Sequence, residues 1–376
     1  MNHKLRILAI MLLFILSPSI AAAAGFGRMW PINENRTQKA FPSSAEIKCS
    51  GFSAIREWYD DRFGLRDVLI RLQHQMDYSL FGYNKTLFFA ESNEGEYLFY
   101  RSVVANEQIQ NEAMTKEDQQ AILTRLTEVK ELLEQQDICF RFIIPPQKNG
   151  VLTEEAGQLP VSRPEKNMYY VMQEAYMKSP LRENYVNVMD ILKEKNQVHP
   201  VFYHTDFHWN DWGAACAFGG VVNSYAASLG MSGVYDVDRL EFRAFVPAPD
   251  YAQLSNLSVF KYDIPTEYTV HDPGMAERAI TISDAGGFLY WENQDKTPFS
   301  RSALFIGDSY TPPALFSFNE TSSGLTGLFP RVYFCHWDNA EDVLSRIPPD
   351  VGLVVVESIE SNYFLFAEKL GRLCPP

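Results

Sequence analysis

The sequence has no CxxC pair and no cysteine–histidine cluster with the spacing that holds structural zinc. Its five cysteines, at positions 49, 139, 216, 335 and 374, are scattered and odd in number, so intramolecular disulfides cannot consume them all. Past the first two dozen residues or so, no apolar run approaches the length that crosses a bilayer. There is no internal repeat and no low-complexity tract, which argues against a solenoid or a disordered scaffold. Positive charge is also short: 33 Lys and Arg against 47 Asp and Glu leave a net charge of −14. That balance argues against nucleic acid as a partner and requires a local basic groove if the ligand is an anionic polymer.

What is present begins with a separate segment. Lys4 and Arg6 precede the apolar run Ile7 to Leu16, then Pro18 and the small-residue tract Ala21 to Ala24. A basic start, a short apolar stretch and an Ala-x-Ala exit read as a secretory signal peptide over residues 1–24. The expectation is an exported, periplasmic protein whose residues 25–376 form a single domain. Aromatics at 14% suit a packed core, or equally a surface facing sugars.

Along the chain, apolar residues at three- and four-residue steps predict a long helix from about 52 to 80 and a second over 116 to 136. "KTLFFAES", "ICFRFII", "YVNVMD", "SALFIG", "RVYFCHW" and "VGLVVVES" read as strands, and "DWGAACAFGGVVNSYAASLG" as a closely packed helix. Helices alternating with buried strands predict an α/β fold with a mostly parallel sheet. Residues of about 231–300 lose that rhythm and read as a β-rich insertion. In open α/β sheets functional groups gather beyond the carboxyl ends of strands. "FIGDS", "FIIPPQK" and "VVVES" each place polar residues at that kind of edge.

"ALFIGDSYTP" is a buried strand broken by Gly307, after which Asp308 and Ser309 emerge. A sharp turn there exposes the serine and sets a backbone N–H beside it that can stabilise an oxyanion. A serine hydroxyl needs a base to become a nucleophile, and the base works best with a carboxylate fixing its tautomer. "YHTDFHWNDWGA", residues 203–214, supplies both from one segment. Read as an extended strand, it points Asp206 and His208 to the same face.

At these residues the chain resembles a known family. Gly-Asp-Ser is the signature of the SGNH, or GDSL-type, hydrolases. "TDFHWNDWGA" together with "FIGDSY" resembles the AlgX/AlgJ family of alginate O-acetyltransferases. The likeness extends to "WYDDRFGLRDVLIRLQHQMDYSLFG", "FIIPPQKNGVLTE" and "VGLVVVESIES", and so spans about residues 52–362. The resemblance implies a three-layer α/β/α SGNH-hydrolase-like domain without a cofactor, in which Ser309 is the nucleophile, His208 the base and Asp206 the orienting carboxylate. It implies transfer of an acetyl group through Ser309 to a hydroxyl of an exopolysaccharide such as alginate. It also implies two partners: a membrane O-acyltransferase that delivers the acetyl group, and a polysaccharide export complex. Candidates for the oxyanion or substrate contacts are Tyr310, Asn319, Arg331 and Lys148.

Other readings stay open at this level. His204, Asp206 and His208 at alternate positions also make a possible metal clamp, although Ser309 gives two of them other work and no metal is expected. Trp209 and Trp212 suit sugar stacking or core packing. His336-Trp337-Asp338 is a rival His/Asp pair. An acetylesterase would use the same triad with water as acceptor, and a non-catalytic polysaccharide-binding export component would keep only the fold.

Overall fold

Among the described residues ten strands carry the architecture, and six of them build one sheet. In chain order they are β1 (Leu87–Ser92), β2 (Gly95–Tyr100), β3 (Cys139–Ile143), β4 (Glu241–Phe245), β5 (Glu267–His271), β6 (Ile280–Ala285), β7 (Phe288–Asn293), β8 (Ser302–Gly307), β9 (Arg331–His336) and β10 (Val351–Glu357). The computed structural model describes residues 3–25, 39–160, 167–248, 257–274, 280–285, 288–293, 296–315 and 323–374. The chain divides into two compact units, Met1–Phe88 with Ala248–Ile264, and Phe89–Pro247 with Pro265–Pro376.

The first unit is helical. Helix His3–Ala23 contains the apolar N-terminal run, and its stretch His3–Ala21 is long and apolar enough to cross a membrane, with mean hydropathy 1.9. Its place near the N-terminus is that of a signal sequence. The single helix expected over 52–80 is two, Phe52–Arg62 and Arg66–Phe81, broken around Gly64. A glycine costs a helix interior about 1 kcal/mol, and here the chain uses it to turn. Within this unit Arg71 donates to the Val259 carbonyl (2.8 Å) and Asn84 to that of Leu257 (3.3 Å).

The second unit holds the six-stranded sheet, in the order β3-β10-β8-β9-β7-β6. β3, β10, β8 and β9 run parallel, while β7 and β6 are antiparallel additions. Part of the region read as a β-rich insertion therefore extends the main sheet as β6 and β7, and another part forms the β4–β5 ribbon. Every residue of β8 and β10 is buried, so both faces of the sheet are covered, as a near-continuous apolar strand requires. Helix Lys116–Glu134 buries Ile122, Leu126, Val129 and Leu133, its start fixed by a reciprocal Thr115–Asp118 capping box. It packs with helix Tyr363–Leu373. Helix Asp211–Ser228, rich in Ala and Gly, packs closely enough for Phe218 to meet Phe305 of β8 at 5.6 Å. The architecture is α/β with a mostly parallel central sheet.

"YVNVMD" is not a strand. Tyr185 makes a single parallel bridge to Phe142, after which the Asn187 side chain accepts the Asp190 N–H and starts helix Val188–Lys195. The five cysteines carry free thiols.

Candidate active site

The registers Gly307↔His336, Ile306↔Val356 and Glu357↔Ile143 bring the ends of β8, β9, β10 and β3 to one edge of the sheet. Ser309 lies two residues beyond β8 at that edge and is exposed, whereas its neighbours Asp308 and Tyr310 are buried. The turn that presents it is wrapped around two carboxyl groups. Glu357, the last residue of β10, accepts the Asp308 N–H (2.9 Å) and the Thr311 hydroxyl (2.8 Å) on one oxygen. Asp308 accepts the N–H groups of Tyr310 (3.1 Å) and Ile359 (3.3 Å) and the Asn362 side-chain amide (3.3 Å). Burial, with the nearby Asp308 charge as second cause, pushes the Glu357 carboxyl well above the usual carboxylate range. Gly307 is required by this packing, because a Cβ there would collide with the Thr311 hydroxyl and lie 2.5 Å from the Glu357 carboxyl oxygen.

The segment holding Asp206 and His208 is a bent loop, not the extended strand its alternation predicts. Phe202 and Trp209 form an antiparallel bridge, and residues 204–208 bulge out between them. Asp206 folds the loop by accepting the N–H of His208 two residues on (2.9 Å), a side-chain turn typical of Asp. The same oxygen, Oδ1, lies 2.7 Å from His208 Nδ1, and His208 Nε2 lies 2.8 Å from Ser309 Oγ. Three side chains, the histidine and serine 101 positions apart, thus form one hydrogen-bonded chain with the serine at its open end. Burial acts to raise the Asp206 carboxyl, but hydrogen bonds and charge from His208, with Lys148 adding, outweigh it and hold it below the usual range. An ionised Asp206 selects the tautomer of His208 that carries its proton on Nδ1, which leaves Nε2 as acceptor for the serine proton.

The remaining candidates fall differently. Tyr310 is buried: its hydroxyl donates to the Phe207 carbonyl (2.9 Å) and its N–H to Asp308, so it braces loop 203–208 against the serine turn and offers no free donor to an oxyanion. The Ser309 N–H has no partner among the described residues and is the donor left beside the serine oxygen. Arg331 starts β9, at the end of the sheet away from Ser309, and is held by Glu292 (3.0 Å from Nε) and Asp350 (3.5 Å). Asn319 lies outside the described residues. Lys148 is buried, and its ammonium contacts four carbonyl oxygens, so it reaches neither substrate nor oxyanion.

Trp209 and Trp212 are buried in the core, and Trp209 Nε1 donates to the Tyr310 carbonyl (2.9 Å). His336 takes Asp338 as its partner (3.2 Å). His204 turns away from the serine, stacks on Tyr97 (centroids 4.2 Å apart) and pairs through Nδ1 with Glu267 (3.2 Å). No group of three or more potential ligands able to hold a metal occurs among the described residues. Glu267 carries no local signal in the sequence; Glu357 carried one, as the polar end of an apolar strand. A groove of about 540 Å³ lined by Cys139, Arg301 and Gly352 opens at the opposite, amino edge of the sheet.

A model of the SGNH hydrolase-like domain of the acetyltransferase AlgX matches residues 94–320, more than half of the chain. No curated protein matches the sequence. Among solved structures, PatB1 of Bacillus cereus superposes with a TM-score of 0.50 at 12% identity, over 74% of this chain and 97% of that one. The O-acetyltransferase domain of Pseudomonas putida AlgJ gives 0.46 at 16% identity, over 76% and 98%. Pseudomonas aeruginosa AlgX gives 0.40 at 12% identity, over 76% of this chain and 67% of that one. With its mostly parallel sheet and a serine presented at the carboxyl edge, this chain belongs to the SGNH hydrolase-like, AlgX-type acetyltransferase family.

Proposed function

We propose that the protein is an exported O-acetyltransferase that moves an acetyl group through Ser309 to a hydroxyl of an exopolysaccharide such as alginate. The observation that carries this reading is the Asp206–His208–Ser309 chain, with contacts of 2.7 and 2.8 Å, ending on an exposed serine. His208 Nε2 takes the proton of Ser309 as Oγ bonds to the acetyl carbonyl carbon. The tetrahedral oxyanion is met by the Ser309 N–H. Collapse expels the donor's leaving group, which receives the proton from His208, and acetyl-Ser309 remains. A sugar hydroxyl then gives its proton to His208 and attacks the ester, and breakage of the bond to Oγ returns the proton to Ser309.

The helix His3–Ala23 supports export, and with it a periplasmic location. An exported enzyme meets no acetyl-CoA, so the donor is the acetyl-carrying product of a membrane O-acyltransferase acting beside a polysaccharide export complex. Ser309 is open to water as well as to sugars, which favours acetylester hydrolysis as the second reading.

Incubation with a chromogenic acetyl ester, with and without oligosaccharide acceptors, tests both. Acetyl appearing on the sugar supports the transferase; free acetate alone, whatever the acceptor, supports the esterase. Polymer binding without turnover would leave a non-catalytic export component.

A further inference from the structure

Residues 203–208 have almost no secondary structure, so their backbone polar groups must find partners elsewhere or be buried unpaired at a cost of several kcal/mol. Two charged side chains meet a large part of that demand, beside the Leu98 N–H on the His204 carbonyl (2.8 Å) and the Tyr310 hydroxyl on that of Phe207 (2.9 Å). Lys148, in the short helix Lys148–Val151, places Nζ 2.7 Å from the carbonyl of Tyr203, 3.0 Å from that of His204 and 3.0 Å from that of Asp206. Its fourth contact, 2.9 Å to the Leu98 carbonyl, ties the same ammonium to β2. From another element, Glu267 of β5 accepts the N–H groups of His204 (3.1 Å) and Thr205 (3.0 Å). It also accepts the Thr205 hydroxyl (3.0 Å) and pairs with His204 Nδ1 (3.2 Å). Both side chains are almost fully buried, at 4% and 1% exposure.

A cation gathers the loop's carbonyls while an anion gathers its amides. We propose that Lys148 and Glu267 form a two-sided clamp on the backbone of residues 203–206 and act as positioning residues for Asp206 and His208. This rests on the reading of His208 as the base. The geometry makes the clamp specific. An ammonium is a compact donor that can serve carbonyls converging from several directions, whereas a guanidinium presents a flat fork. Neither residue touches the serine, so their effect must pass through the loop. The carbonyl of Asp206, the residue that orients His208, is itself one of the ligands of Lys148. Two buried charges of opposite sign also protect each other: removing one leaves the other uncompensated.

The test uses the full chain with Lys148→Met, Glu267→Gln and the double substitution, each checked for native near-ultraviolet circular dichroism. Two signals are read: acetylation of Ser309 by p-nitrophenyl acetate, and the downfield proton resonance of the His208 Nδ1–H bonded to Asp206. The expected result for Lys148→Met is a fall in kcat of about 100-fold with KM changed less than about twofold, and a weakened or shifted resonance. Lys148→Arg should not restore either signal. Glu267→Gln should move both in the same direction by less, and the double variant should lose less than the product of the single losses.

If Lys148→Met does not fold, Glu267→Gln, which keeps the side-chain volume, carries the same readouts. A folded single variant with native kcat and a native resonance would overturn the clamp, and so would losses that simply multiply. A native enzyme that never acetylates Ser309 would defeat the proposed function instead, and the resonance would still report on the clamp.

Discussion

The two halves of the site are positioned by opposite means. Ser309 is placed by the main chain: β8 is buried along its whole length, Gly307 ends it, and the turn closes on Glu357 and Asp308 of the same sheet edge. His208 is placed largely by side chains arriving from elsewhere: its loop has the bridge Phe202↔Trp209 at its base and one backbone bond from the Leu98 N–H to the His204 carbonyl (2.8 Å), and it is further held by Lys148, Glu267 and Tyr310. A strand end needs few polar supports because the ladder and the core already hold it. A loop without a ladder needs partners for its backbone groups, and here two of those partners are buried charges. The serine turn should therefore tolerate changes of charge and resist changes of shape, while the base loop should do the reverse.

Substitution separates the two. Ser309→Ala should abolish acetyl transfer, with a loss of about 1,000-fold or more and an unchanged unfolding midpoint, because the exposed hydroxyl supports no packing. Asp206→Asn comes next: kinetics should show a loss of roughly 1,000-fold in kcat, because an amide at Oδ1 no longer selects the His208 tautomer. Gly307→Ala should cost about 1–3 kcal/mol by urea unfolding and much of the activity, since the added methyl displaces Thr311 or Glu357. If instead it leaves stability untouched, the serine turn is not governed by shape.

The charge of Lys148 gives a pH signature. Burial pushes its ammonium down to about 7 against Glu267, Asp206 and Glu155, which act to raise it, with His204 and Tyr97 also packed nearby. Between about 7 and the ordinary 10.5 the unfolded chain holds a proton that the folded chain has released. This group's contribution to stability therefore rises with pH across that window. The charged clamp, by contrast, empties as pH passes about 7. Activity should fall on the alkaline side while urea midpoints do not, and Lys148→Met should remove that limb from the rate profile. Glu357→Gln is the smallest expected effect. A carboxyl whose burial favours its neutral form can be replaced by an amide of the same shape at a cost within about 1 kcal/mol and with activity changed only a few-fold. A large loss there would mean that the serine turn depends on charge after all.

The sequence makes the strand half of this picture legible. "ALFIG" and "VGLVVV" are apolar because both of their faces are covered, and the glycine that ends the first announces the turn to Ser309. Helix Lys116–Glu134 is equally plain from its three- and four-residue spacing. The loop half is harder. His204, Asp206 and His208 alternate as strand residues do, yet Asp206 spends its carboxylate on folding the chain back to His208, which no periodicity reveals. Asn187 hides a helix start inside "YVNVMD" in the same way. Lys148 looks like a loop lysine available to substrate, because its four carbonyl partners come from segments up to 58 residues away. Glu267 is a lone acid in a stretch of weak pattern, and only the folded β4–β5 ribbon brings it beneath the loop.

The most direct test of the account is to trap the covalent intermediate. The native chain is quenched with acid within the burst phase of p-nitrophenyl acetate turnover, digested, and its acetylated peptide sequenced by mass spectrometry. The expected result is one acetyl group on the Ser309 side chain, absent from Ser309→Ala and strongly reduced in His208→Ala. Acetylation of another residue, or turnover with no acetyl-enzyme at all, would contradict it.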